Sequence, residues 1–344
     1  MSYIAVSMFV ASNLTEFKTL FAEKLRSMLS PDELGAFILV LSNSMQDKSL
    51  QVSLKNDLMT MFVEMNKELK DGVLHATEDD LGVFEKIRKK GVGSFSAWER
   101  HKQGEWELLY NPMRAMRPER ASSEKMKSIF QEFHGARFNF NKPFLRPEIL
   151  WEGEWHHVPL RVLYNKFPFA PYHLIVVPHP EMELPQYLTE QYHQLVWQMV
   201  RKQADVFPGF GLGYNSLGAC ASVNQLHFQS FVREDRLPVE KTLWLHNGGR
   251  HQYPMHCVKT ISSDECWAMI EQFHVDNQPY NLLYRKDCCY VLPRQMQGSE
   301  QVSERVHGAG WIEECGVFNI SSKSHAKNLT AEFLYSDLKS LSVE

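Results

Sequence analysis

The hydrophobic positions divide the chain into a first part with helical spacing and a longer second part built from short alternating segments. Between residues 15 and 90, apolar side chains recur every three or four positions, which is typical of helices that bury one face. Pro31 within Ser-Pro-Asp-Glu predicts a helix start, and Gly72 after Lys-Asp predicts a helix end. We expect these helices to have a packing role, favoured over a lid or an oligomerisation surface. The apolar positions are Phe17, Leu20, Phe21, Leu25, Leu29, Leu58, Met61, Phe62 and Met65.

Strand-like segments follow from Trp98 onward, separated by turn residues such as Pro and Gly. A helical periodicity interrupts them at 186–207, where Leu188, Tyr192 and Val196 repeat at helical spacing before a Pro-Gly pair. The sequence therefore predicts a mixed chain in which a helix lies between strands. The predicted strands are 105–110, 158–165, 173–178, 278–284 and 289–294.

The most informative pattern runs from Gly211 to Phe231, as GLGYNSLGACASVNQLHFQSF. It opens with glycines, which predict a turn, and then alternates polar and apolar residues with the period of a half-buried strand. Such a strand would carry Gln225, His227 and Gln229 on one face, with about 7 Å between alternate residues. A glycine-rich turn beside them would let backbone N–H groups approach an anion. A histidine on a strand is commonly structural, but this combination favours phosphate chemistry.

Composition narrows the class of protein. The chain has 344 residues, 44% of them hydrophobic and 23% charged, which is the balance of a globular protein with a buried core. A net charge of −4 gives little support for a nucleic-acid-binding surface. The apolar run near the N-terminus has no basic residues before it and is interrupted at Ser12, so neither a signal peptide nor a membrane span is expected. The six cysteines form no Cys-x-x-Cys pair, and a cytoplasmic protein with reduced thiols is expected.

Metal and cofactor chemistry is not expected. The most regularly spaced histidines, His246, His251 and His256, are five residues apart. Side chains five residues apart do not share one face of a helix, and they do not share one face of a strand. A metal site needs ligands that converge on one point. The sequence therefore predicts no metal site and no cofactor.

The segment Gly213–Gln229 resembles the transferase branch of the histidine-triad superfamily, which carries the pattern His-x-His-x-Gln. It is most similar to the GDP-hexose phosphorylases (GDP-L-galactose and GDP-D-glucose phosphorylase), in which a GYNSLGA segment precedes HLHFQ. It resembles the hexose-1-phosphate uridylyltransferases more distantly. Gln225 stands where the family has its first triad histidine, whereas His227 keeps the nucleophile position. The segment NKFPFAPYHLIVVPHPE, from Asn165 to Glu181, resembles the superfamily's first signature.

The resemblance implies an α+β protein with the HIT-like (histidine-triad-like) fold, an antiparallel sheet with packed helices. The paired segments near residues 280 and 290 repeat features of 173–178, so two HIT-like halves are expected, the second degenerate. The implied organisation is an N-terminal helical region at 1–95 and a nucleotidyltransferase domain at 96–344. Within that domain, the catalytic half would span about 96–236 and the degenerate half about 237–344.

Three residues of the segment are expected to carry the chemistry. His227 would attack the α-phosphorus as a neutral imidazole, since histidine is largely unprotonated at neutral pH. Gln229 would hydrogen-bond the phosphoryl group. Because an amide cannot supply an acidic proton, transfer to phosphate or to a sugar phosphate is favoured over hydrolysis. Gln225 would orient its neighbours.

The resemblance also implies a set of nucleotide- and phosphate-binding residues. Asn165 would lie near the ribose, and His173 would support the active-site strand. Small residues of the glycine-rich segment would hold the phosphoryl oxygens with their backbone N–H groups. Two arginines after the strand at 105–110, and a lysine in Leu-Pro-Val-Glu-Lys, would contact phosphates. The full set is Asn165, Asn215, Ser216, Gly218, Ser222, Lys241, Arg114 and Arg117.

The function implied by this resemblance is phosphorolysis of an NDP-hexose, best matched by a GDP-hexose, through a nucleotidyl-His227 intermediate. The partners would be a nucleotide sugar or other nucleotide substrate and phosphate. A homodimer is one possible oligomeric state. Two alternatives stay open. One is the same mechanism on a dinucleoside polyphosphate or on a specialised-metabolism nucleotide donor. The other is a non-catalytic nucleotide-binding protein, because Gln225 replaces the first triad histidine.

Overall fold

The computed structural model describes residues 11–30, 33–117, 125–320, 322, 326 and 328–343. Its helices are α1 (Leu14–Ser27), α2 (Leu34–Ser44), α3 (Lys48–Asp71), α4 (Glu78–Lys90), α5 (Glu190–Val206), α6 (Ser263–Val275), α7 (Trp311–Glu314) and α8 (Ala331–Leu341). Its strands are β1 (Glu99–Gln103), β2 (Trp106–Tyr110), β3 (Ile149–Trp155), β4 (Val158–Tyr164), β5 (Leu174–Pro178), β6 (Phe210–Asn215), β7 (Phe228–Val232), β8 (Val258–Thr260), β9 (Tyr280–Arg285), β10 (Cys288–Pro293) and β11 (Val317–Ile320). A 3-10 helix at Pro143–Glu148 leads into β3.

The helices predicted between residues 15 and 90 are confirmed as α1 to α4. Capping explains the ends of α3: the Asp47 side chain accepts hydrogen bonds from its first backbone N–H groups, and Gly72 closes it at a φ of 72°, which glycine adopts without strain. Of the predicted helix start, Pro31 and Asp32 lie outside the described residues, and α2 begins at Leu34. No helix in the described part of the chain is long and apolar enough to cross a membrane.

Among the described residues, eight strands form one sheet in the order β3-β4-β5-β7-β6-β9-β10-β8, and each neighbouring pair is antiparallel. The predicted α+β class, with an antiparallel sheet and packed helices, is therefore confirmed. β6 and β9 are the fifth and sixth strands of this order and pair with Asn215 opposite Asn281, so strands from the two predicted halves are direct neighbours. The division of the chain into these halves stays a prediction. A smaller sheet contains β1, β2 and β11, with β11 parallel to β2.

The N-terminal helices pack against the large sheet. Buried side chains of α1 to α4 form one apolar cluster with strands of that sheet. The Tyr164 hydroxyl, at the end of β4, donates a 2.7 Å hydrogen bond to the Phe21 carbonyl oxygen, and the two rings lie 4.7 Å apart. A second buried cluster surrounds Trp311 of α7 and includes side chains of β2 and β11. The helical region therefore packs against the sheet, and its role beyond this packing stays a prediction.

The prediction for Gly211–Phe231 is partly wrong. The glycine-rich start is itself a strand, β6, and the strand predicted from the alternation at Val223 begins only at Phe228, as β7. Close packing requires glycine in β6: a Cβ on Gly211 would lie 2.7 Å from the Phe231 ring, and one on Gly213 would overlap the Trp311 indole. The chain between β6 and β7 is irregular, so Gln225 and His227 lie on a loop, whereas Asn215 is the last residue of β6.

Candidate active site

A pocket of about 290 Å³ opens beside the start of β7. Its walls come from the loop before β7, from the end of β4 and the segment after it, from the 3-10 helix before β3, and from the start of α4. Much of the predicted site is brought together here. The predicted residues that line the pocket are Arg114, Arg117, Asn165, Asn215, Ser222, His227 and Gln229.

His227 is buried, and its ring is fixed by the main chain. The distance from Nδ1 to the Gln225 carbonyl oxygen is 2.7 Å, so Nδ1 carries a proton and donates it to that oxygen. Nε2 is then unprotonated and has the lone pair that a nucleophile needs. Burial lowers the pKa of His227 to about 4, although the hydrogen bond to Gln225 acts in the opposite direction. The imidazole is therefore neutral at neutral pH.

The side chain of Gln186 holds the backbone around this histidine. Its oxygen accepts a 2.9 Å hydrogen bond from the His227 N–H, and its nitrogen donates a 2.8 Å hydrogen bond to the Asn215 carbonyl oxygen. Gln186 is fully buried, so water does not compete for these bonds. Sequence reasoning missed this residue. Its position before α5 carries no local signal that its side chain reaches two separate segments of the site.

The Gln225 side chain does not line the pocket. It forms hydrogen bonds with the backbone of two neighbouring segments. Its oxygen accepts a 2.7 Å hydrogen bond from the Phe140 N–H, and its nitrogen donates a 3.2 Å hydrogen bond to the Pro180 carbonyl oxygen. The Phe140 ring in turn lies 5.0 Å from the His227 ring. The side chain of Gln225 thus positions a neighbour of His227, while its carbonyl oxygen fixes the imidazole.

Gln229 lines the pocket from β7, and its neighbours fix the orientation of its amide. Oε1 accepts a 2.8 Å hydrogen bond from Trp311 Nε1, and His173 also hydrogen-bonds to Gln229. Burial, followed by the nearby Arg114, lowers the pKa of His173 to about 3, so this ring is neutral. Nε2 of His173 lies 3.4 Å from Nδ2 of Asn165. With Oε1 occupied by Trp311, the amide nitrogen is the part of Gln229 that can donate to a ligand in the pocket.

Arg114 brings positive charge to the pocket. Its Nη1 donates a 3.1 Å hydrogen bond to the Phe167 carbonyl oxygen, and its guanidinium lies 4.8 Å from the centre of the Phe169 ring. Burial lowers the pKa of Arg114, and Glu313 acts in the opposite direction. An arginine stays charged through such a change. Together with Arg117 it gives the pocket forked N–H donors suited to phosphate.

The remaining members of the predicted binding set do not line the pocket. Lys241 forms a 2.8 Å ion pair with Glu105 and also donates to its carbonyl oxygen, so this ammonium group is held away from the site. The Ser216 hydroxyl is buried and accepts a 3.0 Å hydrogen bond from the Tyr280 N–H. Gly218 packs on Met296. Ser216 and Gly218 shape the loop after β6 from behind the pocket.

The pocket also contains polar residues that sequence reasoning missed. Glu148, at the end of the 3-10 helix, has 8% of its surface exposed. Lys166 Nζ lies 2.6 Å from Asp80 Oδ1 of α4. All three residues line the pocket, together with several phenylalanine rings. They come from distant parts of the chain, and therefore no local motif connects them.

Comparison with known proteins gives sequence relatives for the middle of the chain. Residues 103–231 match the family model described as GDPGP1-like, N-terminal domain. GDP-D-glucose phosphorylase 1 of Danio rerio is 37% identical over 126 residues, 36% of this chain and 36% of that protein. GDP-L-galactose phosphorylase 1 of Arabidopsis thaliana is 32% identical over 138 residues, 36% of this chain and 30% of that protein. The chain thus spans about a third of the length of these curated relatives.

Solved structures match a larger part of the chain. Yeast Ap4A phosphorylase Apa2 in complex with AMP superposes with a TM-score of 0.51 at 16% identity, over 76% of this chain and 96% of that chain. Together with the antiparallel sheet and the histidine pocket, this likeness defines a protein of the HIT-like fold. More particularly, residues 103–231 are similar to the GDPGP1-like N-terminal domain. The predicted resemblance to GDP-hexose phosphorylases is confirmed.

Proposed function

We propose that this protein is a nucleotidyltransferase that cleaves a GDP-hexose with phosphate, giving GDP and a hexose 1-phosphate through a guanylyl-His227 intermediate. The observation that carries the proposal is the state of His227. Its Nδ1 proton is committed to a carbonyl oxygen 2.7 Å away, and burial keeps the ring neutral, so Nε2 is the nucleophilic atom. Asn215, Ser222 and Gln229 line the same pocket.

In the first step, Nε2 of His227 attacks the α-phosphorus, and the bond from that phosphorus to the bridging oxygen breaks. The electron pair leaves with the hexose 1-phosphate, which is a good leaving group and needs no proton. The Gln229 amide would stabilise charge on the phosphoryl oxygens, and Arg114 and Arg117 would neutralise the phosphates. An amide at position 229 is consistent with transfer rather than hydrolysis, because it supplies no acidic proton.

In the second step, an oxygen of inorganic phosphate attacks the same phosphorus. The bond to Nε2 breaks, its electron pair returns to the imidazole, and GDP leaves. The enzyme ends in its starting state. The substrate class is supported by the relatives named GDP-D-glucose phosphorylase and GDP-L-galactose phosphorylase, to which about a third of this chain is similar.

The alternatives are less well supported. Gln225 is the reason to consider a non-catalytic protein, but its side chain lies outside the pocket lining and bonds to Phe140 and Pro180. The side chain at the position of the first triad histidine therefore bonds to the protein backbone and does not line the pocket. A dinucleoside polyphosphate substrate would rest on the likeness to the Ap4A phosphorylase, which at 16% identity supports the fold alone.

The test is the mass of the intact protein after brief mixing with GDP-hexose, UDP-hexose or ADP-hexose in the absence of phosphate. A gain of one guanosine monophosphate, discharged by added phosphate to release GDP, is expected. His227→Ala should give no gain, whereas His101→Ala, a histidine replaced on the exposed surface of β1, should behave as the wild type. Turnover that persists in His227→Ala would overturn the proposal.

A further inference from the structure

Glu148 is a buried carboxylate that the proposed chemistry does not use. It is more than nine-tenths buried and lines the pocket. Among the described residues, none forms a hydrogen bond or an ion pair with its carboxyl oxygens. A buried carboxylate without partners is costly, and such a group in a pocket indicates a ligand that supplies the missing donors.

The surroundings of Glu148 define the shape of that ligand. The 3-10 helix that ends at Glu148 also carries Phe144 and Leu145, and Ile149 after it pairs with Leu163 on β4. Phe144, Leu145 and Leu163 belong to an apolar part of the pocket, whose other members are Phe138, Phe140, Ile175 and Val223. Aromatic and branched side chains around one carboxylate suit a flat heterocycle with N–H donors on its edge.

A cation lies close to the same carboxylate. Lys166 lowers the pKa of Glu148 by its charge, and its Nζ forms a 2.6 Å ion pair with Asp80. The packing here is tight, because a Cβ on Gly35 of α2 would lie 3.1 Å from both Lys166 Nζ and Asp80 Oδ2. The ammonium group is therefore held in place by Asp80, with N–H donors left for an acceptor on the ligand.

We propose that Glu148 and Lys166 recognise the edge of a guanine base, with Glu148 accepting from N1–H and the N2 amino group and Lys166 donating to O6. This inference rests on the proposed function and names the residues that select the base. Guanine offers two adjacent donors beside an acceptor on this edge. Adenine would place its N1 acceptor against the carboxylate, and uracil has one N–H between two carbonyl oxygens. Asp80, on α4, lies outside the segment 103–231 that matches the family model.

The protonation of Glu148 adds a pH dependence to base binding. Burial raises the pKa of Glu148 to about 7; the charges of Asp80 and Glu33 act in the same direction, and Lys166 opposes them. The ionised carboxylate is the form that accepts two N–H bonds. The preference for GDP over ADP therefore strengthens as the pH rises through about 7, because the phosphates of the two nucleotides titrate alike and only guanine uses this carboxylate.

The experiment compares binding of GDP, IDP and ADP to the wild type, to Glu148→Gln and to the matched control Glu154→Gln, which removes an exposed carboxylate from β3. IDP lacks only the N2 amino group. We expect the wild type to bind GDP about tenfold or more tightly than IDP, since hydrogen bonds to charged groups are the strong ones. Glu148→Gln should lose that preference, and Glu154→Gln should keep it.

Equal binding of GDP and IDP by the wild type, or an unchanged preference in Glu148→Gln, would overturn the inference. If Glu148→Gln does not fold, the wild-type ratio of GDP to IDP affinity and its rise with pH decide the question. The two proposals are separable. A His227 adduct formed from GDP-hexose, without any GDP preference over IDP, removes this inference alone, whereas no adduct and no nucleotide binding remove both.

Discussion

The carbonyl oxygen of Gln225 lies 2.7 Å from Nδ1 of His227, so the main chain of residue 225, and not its side chain, sets the tautomer of the proposed nucleophile. Every amino acid supplies that carbonyl. The departure from the family pattern at this position therefore leaves the orientation of His227 intact. What the side chain adds is a pair of hydrogen bonds, to Phe140 and to Pro180.

Gln225→Ala is expected to reduce stability more than chemistry. The change leaves the Phe140 N–H and the Pro180 carbonyl without a partner, at a cost of about 1–3 kcal/mol in the free energy of unfolding. The rate constant of adduct formation in a single turnover should stay within about tenfold of the wild type, since the carbonyl is retained. Urea denaturation and rapid-quench mass spectrometry measure the two effects. A rate loss of about a thousandfold at unchanged stability would instead place the side chain in the reaction.

Adduct formation at saturating donor should be insensitive to pH down to acidic values. Burial lowers the pKa of His227 to about 4, so the ring stays neutral until the pH approaches that value. The rate constant should be flat from about pH 8 to about pH 5 and fall below that range. Because the pKa is depressed relative to the unfolded chain, the unfolded state takes up the proton first, and His227 lowers stability as the pH falls from about 6.5 toward 4. A rate that already falls with a midpoint near pH 6.5 would contradict the buried, neutral ring.

Gln229→Glu should slow the first chemical step. The variant removes the amide N–H donors and places a carboxylate beside the phosphoryl oxygens. Loss of one such donor costs about a hundredfold to a thousandfold in kcat. The check is the rate of guanylyl-enzyme formation, with Gln252→Glu, at an exposed position, as the control for added negative charge. A rate equal to that of the wild type would remove Gln229 from the proposed mechanism.

The buried pair of Arg294 and Glu314 should be a major determinant of stability. Their side chains are fully buried, with Nη1 and Oε1 2.9 Å apart. Arg294→Met leaves the Glu314 carboxyl buried without its partner and should cost about 3–5 kcal/mol in the free energy of unfolding. Adding Glu314→Leu should recover much of that loss. Urea denaturation of the two single variants and the double variant measures this coupling, and additive losses would show that the pair does not interact.

Local patterns predicted the helices between residues 15 and 90, α5 and five of the eleven described strands, but not α6, α7 or α8. The periodicity at 186–207 became α5, and the segments at 105–110, 158–165 and 173–178 became β2, β4 and β5. β6 escaped prediction because glycine usually disfavours strands. Its glycines are explained by the rings of Phe231 and Trp311, and Trp311 is remote in sequence.

The site was predictable where one segment carries it and not where distant segments meet. His227, Gln229 and Asn215 lie within one stretch of sequence, and the structure brings all three to the pocket. Lys241 stands in an equally suggestive motif, but its ion pair with Glu105 joins residues far apart in the chain. The sequence around Glu148 did not indicate that this residue belongs to the site, since its burial depends on segments that only the fold brings together.

The walls of the pocket come from residues as far apart as Thr77 and Glu313. A nucleotide bound there would contact the helical region, the large sheet and α7 together, and would stabilise them as one unit. At a concentration of a hundred times its Kd, such a ligand adds about 2.7 kcal/mol to the free energy of unfolding. In a cell with little nucleotide sugar, a larger fraction of the protein would be unfolded and open to proteases. The amount of protein is then expected to follow the supply of the proposed nucleotide-sugar substrate.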